Sequence, residues 1–418
     1  DGSLTTGQII DRMNGIINNH FYYLPARHNR NLLRNLFLSF MPAGNPFQKV
    51  FDFGNSQPSG EMLYLVRKDN QKSADFRWYN FLDQRTKLQR EDIVAYYGAS
   101  IFPEARTDAL EHILCVGNHR NCHLHFTRGD DAGTAAAKKD EAEHRKDALA
   151  QREKNKKNFK ANFAVNSNHI LKLTNKIKNT ILVNLDSSCS RAVAGKLVTG
   201  KVWKSIYLND NKIFIKDYHD DLGNLTVDIM LDASGSQINR QELISSEAYI
   251  IAESLTRCHI PVRVYAFNNK SNFAILTLYR DYGEFAKNER IFNYHSSGCN
   301  RDGLAIRTAL HMMKDSRRDH KILIVLSDGK PNDPSGIPTG DNNPVQLDYD
   351  DVLGVHDTAM EVRKGLHEGV SILCVFTGLD EDVPSAKKIF GHNLARIKSP
   401  DKFADIVGVM IQNVLKNI

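Results

Sequence analysis

Apolar positions along this chain change their spacing several times, and each change marks a segment. Ile9, Met13, Ile16 and Ile17, then Leu32, Leu33, Leu36 and Phe37, recur at helical intervals and predict helix from Ile9 to about Phe40. Pro42, Gly44 and Pro46 end that pattern. Met62–Val66 predicts a short strand, Phe76–Phe81 is aromatic-rich and fits helix or strand, and Leu110–Val116 predicts a buried element. Residues 1–134 therefore read as a mixed α+β region of no assignable fold.

Residues 135–165 differ in kind. AAAKKDEAEHRKDALAQREKNKKNFK supplies good helix formers of both charge signs with only Leu149 and Phe159 as large apolar residues, which predicts a solvated helix or linker and a domain boundary. Residues 166–223 form a joining region. Ile170, Leu173, Ile177 and Ile181 predict an amphipathic helix, and Trp203, Ile206 and Leu208, then Ile213 and Ile215, flank Asn209-Asp210-Asn211 as a β-hairpin would.

From residue 224 to 418 strands and helices alternate. Strands are predicted at Leu225–Leu231, Pro261–Phe267, Ala274–Tyr279, Ile322–Leu326, Val370–Phe376 and Leu394–Ile397. Helices are predicted at Arg240–Arg257 and Asp302–Lys314, around Val352–Leu366, and after the Ser399-Pro400 cap. Such alternation specifies an α/β fold with a doubly wound, mainly parallel sheet. Ligands bind such sheets in the crevice beyond the carboxyl ends of the strands.

Two strand ends carry candidate chemistry. Leu225–Leu231 runs into Asp232-Ala-Ser234-Gly-Ser236, and Ile322–Leu326 runs into Ser327-Asp328-Gly329. Carboxylates and hydroxyls form an oxygen-only set suited to a hard divalent cation such as Mg2+. A polar residue from the loop HSSGCNRDGLAIRTAL would complete it. The plainer alternative is that the serines cap the following helix and Asp328 stabilises a turn. Asp228, inside a buried strand, needs a donor such as an arginine. Pro331–Pro344 is a long Gly/Pro-rich loop near the site, with Asp341 and Asn342 available to a partner. Cys115, His119, Cys122, His123 and His125 are close in sequence; thiolate and imidazole suit zinc, yet no repeated C-x-x-C knuckle is present, and packing or hydrogen bonding is the other explanation.

Composition narrows the class. With 41% hydrophobic and 25% charged residues the chain has material for a sizeable core, and it lacks an apolar run long enough to span a membrane. The net charge of +6 is modest for 418 residues and no aromatic-interleaved basic platform appears, so no nucleic-acid partner is expected. Six scattered cysteines and an opening, DGSLTTGQII, without a basic-then-apolar leader predict reduced thiols and a cytoplasmic location. Ser234 is outside G-x-S-x-G, no phosphate-cradling Gly-rich loop occurs, and His295 is the nearest histidine without being a placed base, so no enzyme activity is expected.

The residues from about 224 onward resemble the von Willebrand factor A domain and its metal-ion-dependent adhesion site. That resemblance implies that Ser234 and Ser236 are direct ligands, that Asp232 and Asp328 hold metal-bound waters, and that Asn300, standing where the family has a threonine, offers its amide oxygen. A longer match, SQINRQE, DGKPND (Asp328–Asp333) and GVHDTAMEVRKG (Gly354–Gly365) in that order, is similar to the NorD family of nitric oxide reductase activation proteins. It implies a co-chaperone that works with a MoxR-type AAA+ ATPase of the NorQ kind to mature or activate a metalloenzyme client. A general adhesion-type binding module without an ATPase is the alternative.

Overall fold

Five consecutive aliphatics at Ile322–Leu326 leave no polar side for water, so a strand made of them needs cover on both faces. The computed structural model provides that cover, and it describes residues 86–129, 139–187, 189–194, 196–208, 210–217, 225–339, 345–397 and 400–416. In chain order the elements are α1 (residues 86–97), α2 (Glu104–Leu114), β1 (His123–Thr127), α3 (Lys139–Ala161), α4 (Phe163–Ser187), β2 (Cys189–Ala192), β3 (Lys196–Leu197) and α5 (Val202–Leu208). There follow β4 (Phe214–Asp217), β5 (Leu225–Asp232), α6 (Gln241–Arg257), β6 (Val262–Lys270), β7 (Phe273–Arg280), α7 (Asp302–Met313) and β8 (His320–Ser327). The last are β9 (Asp333–Ile337), β10 (Leu347–Tyr349), α8 (Asp351–His367), β11 (Val370–Phe376), α9 (Val383–Phe390), β12 (Leu394–Arg396) and α10 (Phe403–Lys416).

Seven strands form the central sheet in the order β1-β7-β6-β5-β8-β11-β12. Every neighbouring pair is parallel except β6 and β7. The period-two rule splits the core: Val227, Ile229, Leu231, Ile322, Ile324 and Leu326 enter one apolar layer, while Met230, Leu323 and Val325 enter the other. Helices α4, α6 and α10 supply the first layer through residues such as Leu173, Ile251 and Val407, and α7, α8 and α9 the second through Leu304, Val362 and Ile389. The expected α/β class and its mainly parallel sheet are what the chain forms.

Three expectations are corrected. The stretch 135–165 is no boundary: the compact unit runs from Arg85 to Ile418, and β1, which precedes that stretch, is the sheet's edge strand, paired with β7 from His123↔Phe273 to Thr127↔Thr277. Helix α3 docks through a mostly polar stripe, Gln151, Asn155 and the apolar Phe159 being buried at four-residue steps while Leu149 is exposed. Asn155 Nδ2 donates to the Phe292 and Tyr294 carbonyls at 3.0 and 2.9 Å, and Gln151 Nε2 donates to Glu242 Oε1 at 2.9 Å. Second, the hairpin around Asn209–Asn211 does not form. Trp203, Ile206 and Tyr207 also satisfy helical spacing and lie exposed on α5, and β4 pairs instead with β2 and β3 in a small antiparallel sheet. Third, the element expected at Leu110–Val116 is the end of α2, with Leu114 buried and Val116 exposed. The elements expected at Ile9–Phe40, Met62–Val66 and Phe76–Phe81, the Ser399 cap and Asp341 and Asn342 lie outside the described residues.

Asp228 finds its arginine one strand over. In the β5–β6 register it stands opposite Arg263, whose Nη1 is 3.9 Å from Asp228 Oδ2, and Tyr282 OH donates to Oδ1. Burial still pushes this carboxyl up to about 6, against the pull of Arg263. Arg263→Met is expected to cost on the order of 3 kcal/mol in denaturant unfolding, because it strands a buried acid, and Asp228→Asn in the same chain is expected to recover most of that loss. Equal stability of Arg263→Met and the parent would show that the pair does not matter.

Candidate metal centre

Strands β5 and β8 are neighbours, so Asp232 at the end of one and Ser327-Asp328 at the end of the other emerge side by side. The loop before α7 crosses their ends: Ser297 N donates to Ala233 O at 2.7 Å, and Gly235 N donates to Gly298 O at 2.9 Å. Gly298 makes the crossing possible, since at its φ of +75° a Cβ would stand 2.5 Å from Asn269 O. Gly329 does the same for the Asp328 turn, with φ +66° and Ala386 against it.

All five expected residues meet in one hydrogen-bonded network. Ser234 N donates to Asp232 Oδ1 at 2.9 Å, the Ser234 and Ser236 hydroxyls are 2.9 Å apart, and Ser236 Oγ donates to Asp328 Oδ2 at 2.5 Å. Asn300 joins from the third loop, its Nδ2 lying 3.5 Å from Asp232 Oδ2 and 3.2 Å from Lys330 O. Its amide oxygen, expected to face a cation, accepts the Asn332 N–H at 2.9 Å. Asn300 thus presents donors to the carboxylate and ties the loops together, because two acceptors on one side and a donor on the other fix its orientation. None of the capping bonds expected of a purely structural Ser234 is made.

Two residues were missed. Ser327 Oγ donates to Asp232 Oδ2 at 3.0 Å while accepting Gly329 N at 3.0 Å. Asp302, in the first turn of α7, is 2% exposed, and among the described residues its Oδ1 has no hydrogen-bond partner. The only sequence signal was an acid two positions after Asn300. Burial, then the charges of Asp232 and Asp328, holds the Asp302 carboxyl well above the ordinary range. Asp232 is raised by burial and by Asp328, and Asp328 by burial.

Three acids crowded at low dielectric repel one another, and an orphaned carboxylate oxygen lies among them. Hydroxyl and carboxylate oxygens without nitrogen or sulfur donors fit a hard divalent cation, which would relieve that repulsion. Among the described residues no three His, Cys, Asp or Glu side chains make a cage by themselves, so an ion here requires the serines. Ser236 is exposed and opens the site to solvent, with Ile238 (54% exposed) and Leu379 (58% exposed) on neighbouring loops.

The Cys/His segment disperses. His119 Nε2 lies 3.2 Å from Asp357 Oδ2, Cys122 Sγ accepts from Arg301, His123 Nδ1 is 2.9 Å from Glu111 Oε2, and His125 Nε2 is 3.0 Å from the Gly98 carbonyl. Burial raises the Cys115 thiol, and the described cysteines Cys115, Cys122, Cys258, Cys299 and Cys374 are free.

No family model and no curated protein matches this chain. Among solved structures it is similar to the vWF domain of the type V pilus tip protein Mfa5 from Porphyromonas gingivalis, at 11% identity and TM-score 0.36, over 46% of this chain and 95% of that one. It is similar also to the pilus adhesin SpaC from Lactobacillus rhamnosus GG, at 16% identity and TM-score 0.35, over 46% of this chain and only 30% of that one. A manganese-loaded Plasmodium vivax TRAP protein matches at 17% identity and TM-score 0.31, over 46% of this chain and 74% of that one. Among the described residues no helix is long and apolar enough to cross a membrane.

Proposed function

We propose that the chain is a metal-dependent protein-binding co-chaperone of the von Willebrand factor A type, NorD-like, that works with a MoxR-type AAA+ ATPase in the cytoplasm to activate a metalloenzyme. The observation that carries the metal-dependent part is the single network joining Asp232, Ser234, Ser236 and Asp328. Ser234 and Ser236, with Asp232, Asp302 and Asp328 behind them, would hold Mg2+ or another divalent cation; Asn300 would brace them. The ion supplies a positive field and an exchangeable position for a partner's acidic side chain. Exposed Ile238 and Leu379 give that contact an apolar rim.

The NorD-like reading is supported by where its motif residues lie. Gln241 of SQINRQE accepts the Ser296 N–H at 2.8 Å in the loop leading to Asn300. Asp333 of DGKPND takes Asn269 Nδ2 at 2.6 Å and lies 3.3 Å from buried Arg301. Asp357 of GVHDTAMEVRKG takes Tyr349 OH at 2.7 Å and Asn118 Nδ2 at 2.8 Å. Gln241 and Asp333 thus hold the loop before α7, and Asp357 holds Tyr349, whose OH accepts the Gly303 N–H at 3.3 Å in the first turn of α7.

The test is co-purification: the tagged chain is recovered from its native lysate in Mg2+ and in EDTA, and a MoxR-type AAA+ ATPase is sought among the retained proteins. Retention in Mg2+ and loss in EDTA is expected. Full retention in EDTA overturns the metal-mediated contact, and absence of the ATPase in both conditions overturns the partnership.

A further inference from the structure

A second cleft is lined in part by Ala233, the residue between Asp232 and Ser234. It has a volume of about 230 Å³ and is walled by α1, one face of α3, β6, β7 and the loop before α7. That is the volume of about seven or eight waters, at the small end for a ligand pocket. Helix α3 brings His144, Arg145, Ala148 and Arg152 to it at helical spacing, Tyr96 and Tyr97 close one side, and His295 and Ser297 close another.

The chemistry of this wall is one-sided. Arg128, Arg145 and Arg152 line the cleft, and among the described residues no carboxylate does. Arg128 is committed to Glu284 at 3.0 and 3.1 Å, and one nitrogen of Arg145 donates to Ala95 O at 2.8 Å. Among the described residues, Arg152 Nε and both ring nitrogens of His144 are buried without a hydrogen-bond partner. Besides Glu284, the acids felt by the wall are Asp140 and Asp147, which lie on α3 outside the lining. Aromatic surfaces stand beside these donors: the His144 ring is 4.0 Å from Tyr96 and 5.0 Å from His295, edge to face with the latter. Burial, then His295, Lys270 and Arg145, lowers the His144 imidazole to about 4, so near neutrality it offers one N–H and one flat neutral face.

We propose that this cleft binds a small planar organic anion, its carboxylate or phosphate met by Arg152 and Arg145 and its ring laid against His144 and the tyrosines. Buried donors without acceptors are costly to leave unmet, and an oxyanion meets several at once. Planar cations and rings give the body of the ligand a matching surface. The occupant would press on Ala233 and Ser297, which are hydrogen-bonded to each other at 2.7 Å and belong to the loops that hold Ser234 and Asn300. Binding here is therefore coupled to the cation site, a consequence that rests on the metal-dependent reading above, whereas anion binding itself does not.

Calorimetry on the full chain in EDTA separates the two. Phenyl phosphate and benzoate are expected to bind, inorganic phosphate at least tenfold more weakly and neutral benzyl alcohol not at all. Arg152→Gln is expected to weaken phenyl phosphate at least tenfold. Ala148→Phe, which fills the cleft from α3, abolishes binding and serves if the first variant does not fold. Equal binding of benzyl alcohol and phenyl phosphate, binding of neither anion, or unchanged affinity in Ala148→Phe overturns the proposal. Repeating the titration in Mg2+ tests coupling: an altered affinity supports it, and identical affinities remove the coupling while leaving the anion site.

Discussion

In EDTA, Asp232→Asn is expected to be at least as stable as the parent chain; in Mg2+ the parent alone gains stability. The two halves of that result have one origin. Asp232 is 0% exposed and shares its surroundings with Asp302 and Asp328, so without a cation its charge adds to a cluster that burial and mutual repulsion already disfavour. An amide of the same shape keeps one acceptor for Ser234 N or Ser327 Oγ and removes the charge. With Mg2+ at about a hundred times its dissociation constant, binding to the folded parent adds about 2.7 kcal/mol, and the variant, lacking the central carboxylate, gains little. Thermal denaturation of both chains with Mg2+ and with EDTA reads this directly. A variant less stable than the parent in EDTA that still gains fully from Mg2+ would show that Asp232 is only a turn-forming residue.

A larger effect on pH dependence is expected from Glu247, which lies within α6 at 6% exposure. Burial alone pushes its carboxyl from 4.5 up to about 8, and among the described residues no cation is paired with it. The folded-state value lies above the unfolded one, so the folded chain holds a proton that the unfolded chain has released. The contribution to stability is fully present below about pH 4.5 and is lost as pH rises through 8, for a total on the order of 5 kcal/mol. Glu247→Gln mimics the protonated form. It is expected to leave the melting temperature near pH 4.5 unchanged and to raise it at pH 8.5, flattening the profile between. Parallel profiles for parent and variant would mean that the carboxylate finds compensation within the fold.

The same buried polar groups mark the limit of what apolar periodicity reveals. Leu149 and Phe159 were the only large apolar residues between 135 and 160, and one of them is exposed, so nothing in the pattern announced that α3 packs on the sheet domain. Gln151 and Asn155 hold it there, and both are residue types that water accepts equally well. Asp302 was hidden for the same reason. An acid at the first turn of a helix usually needs no explanation beyond the helix dipole. Only the convergence of β5, β8 and the loop before α7 turns it into the third carboxylate of a cluster.

What the residues alone determined is the α/β class, the strands β5, β6, β7, β8, β11 and β12 that build most of the sheet, and the pairing of Asp232-Ala-Ser234-Gly-Ser236 with Asp328 at adjoining strand ends. Alternating and helical apolar spacings are local consequences of burial, and turns rich in glycine, serine and aspartate are local consequences of backbone geometry, so both are written in short stretches of sequence. Tertiary structure decided the rest: β1 as an edge strand, Arg263 opposite Asp228, the turned amide of Asn300, and a basic cleft assembled from five elements. Those features depend on which hydrogen-bonding groups meet across long stretches of chain. A polar side chain bears the same letter whether it meets such a partner or water.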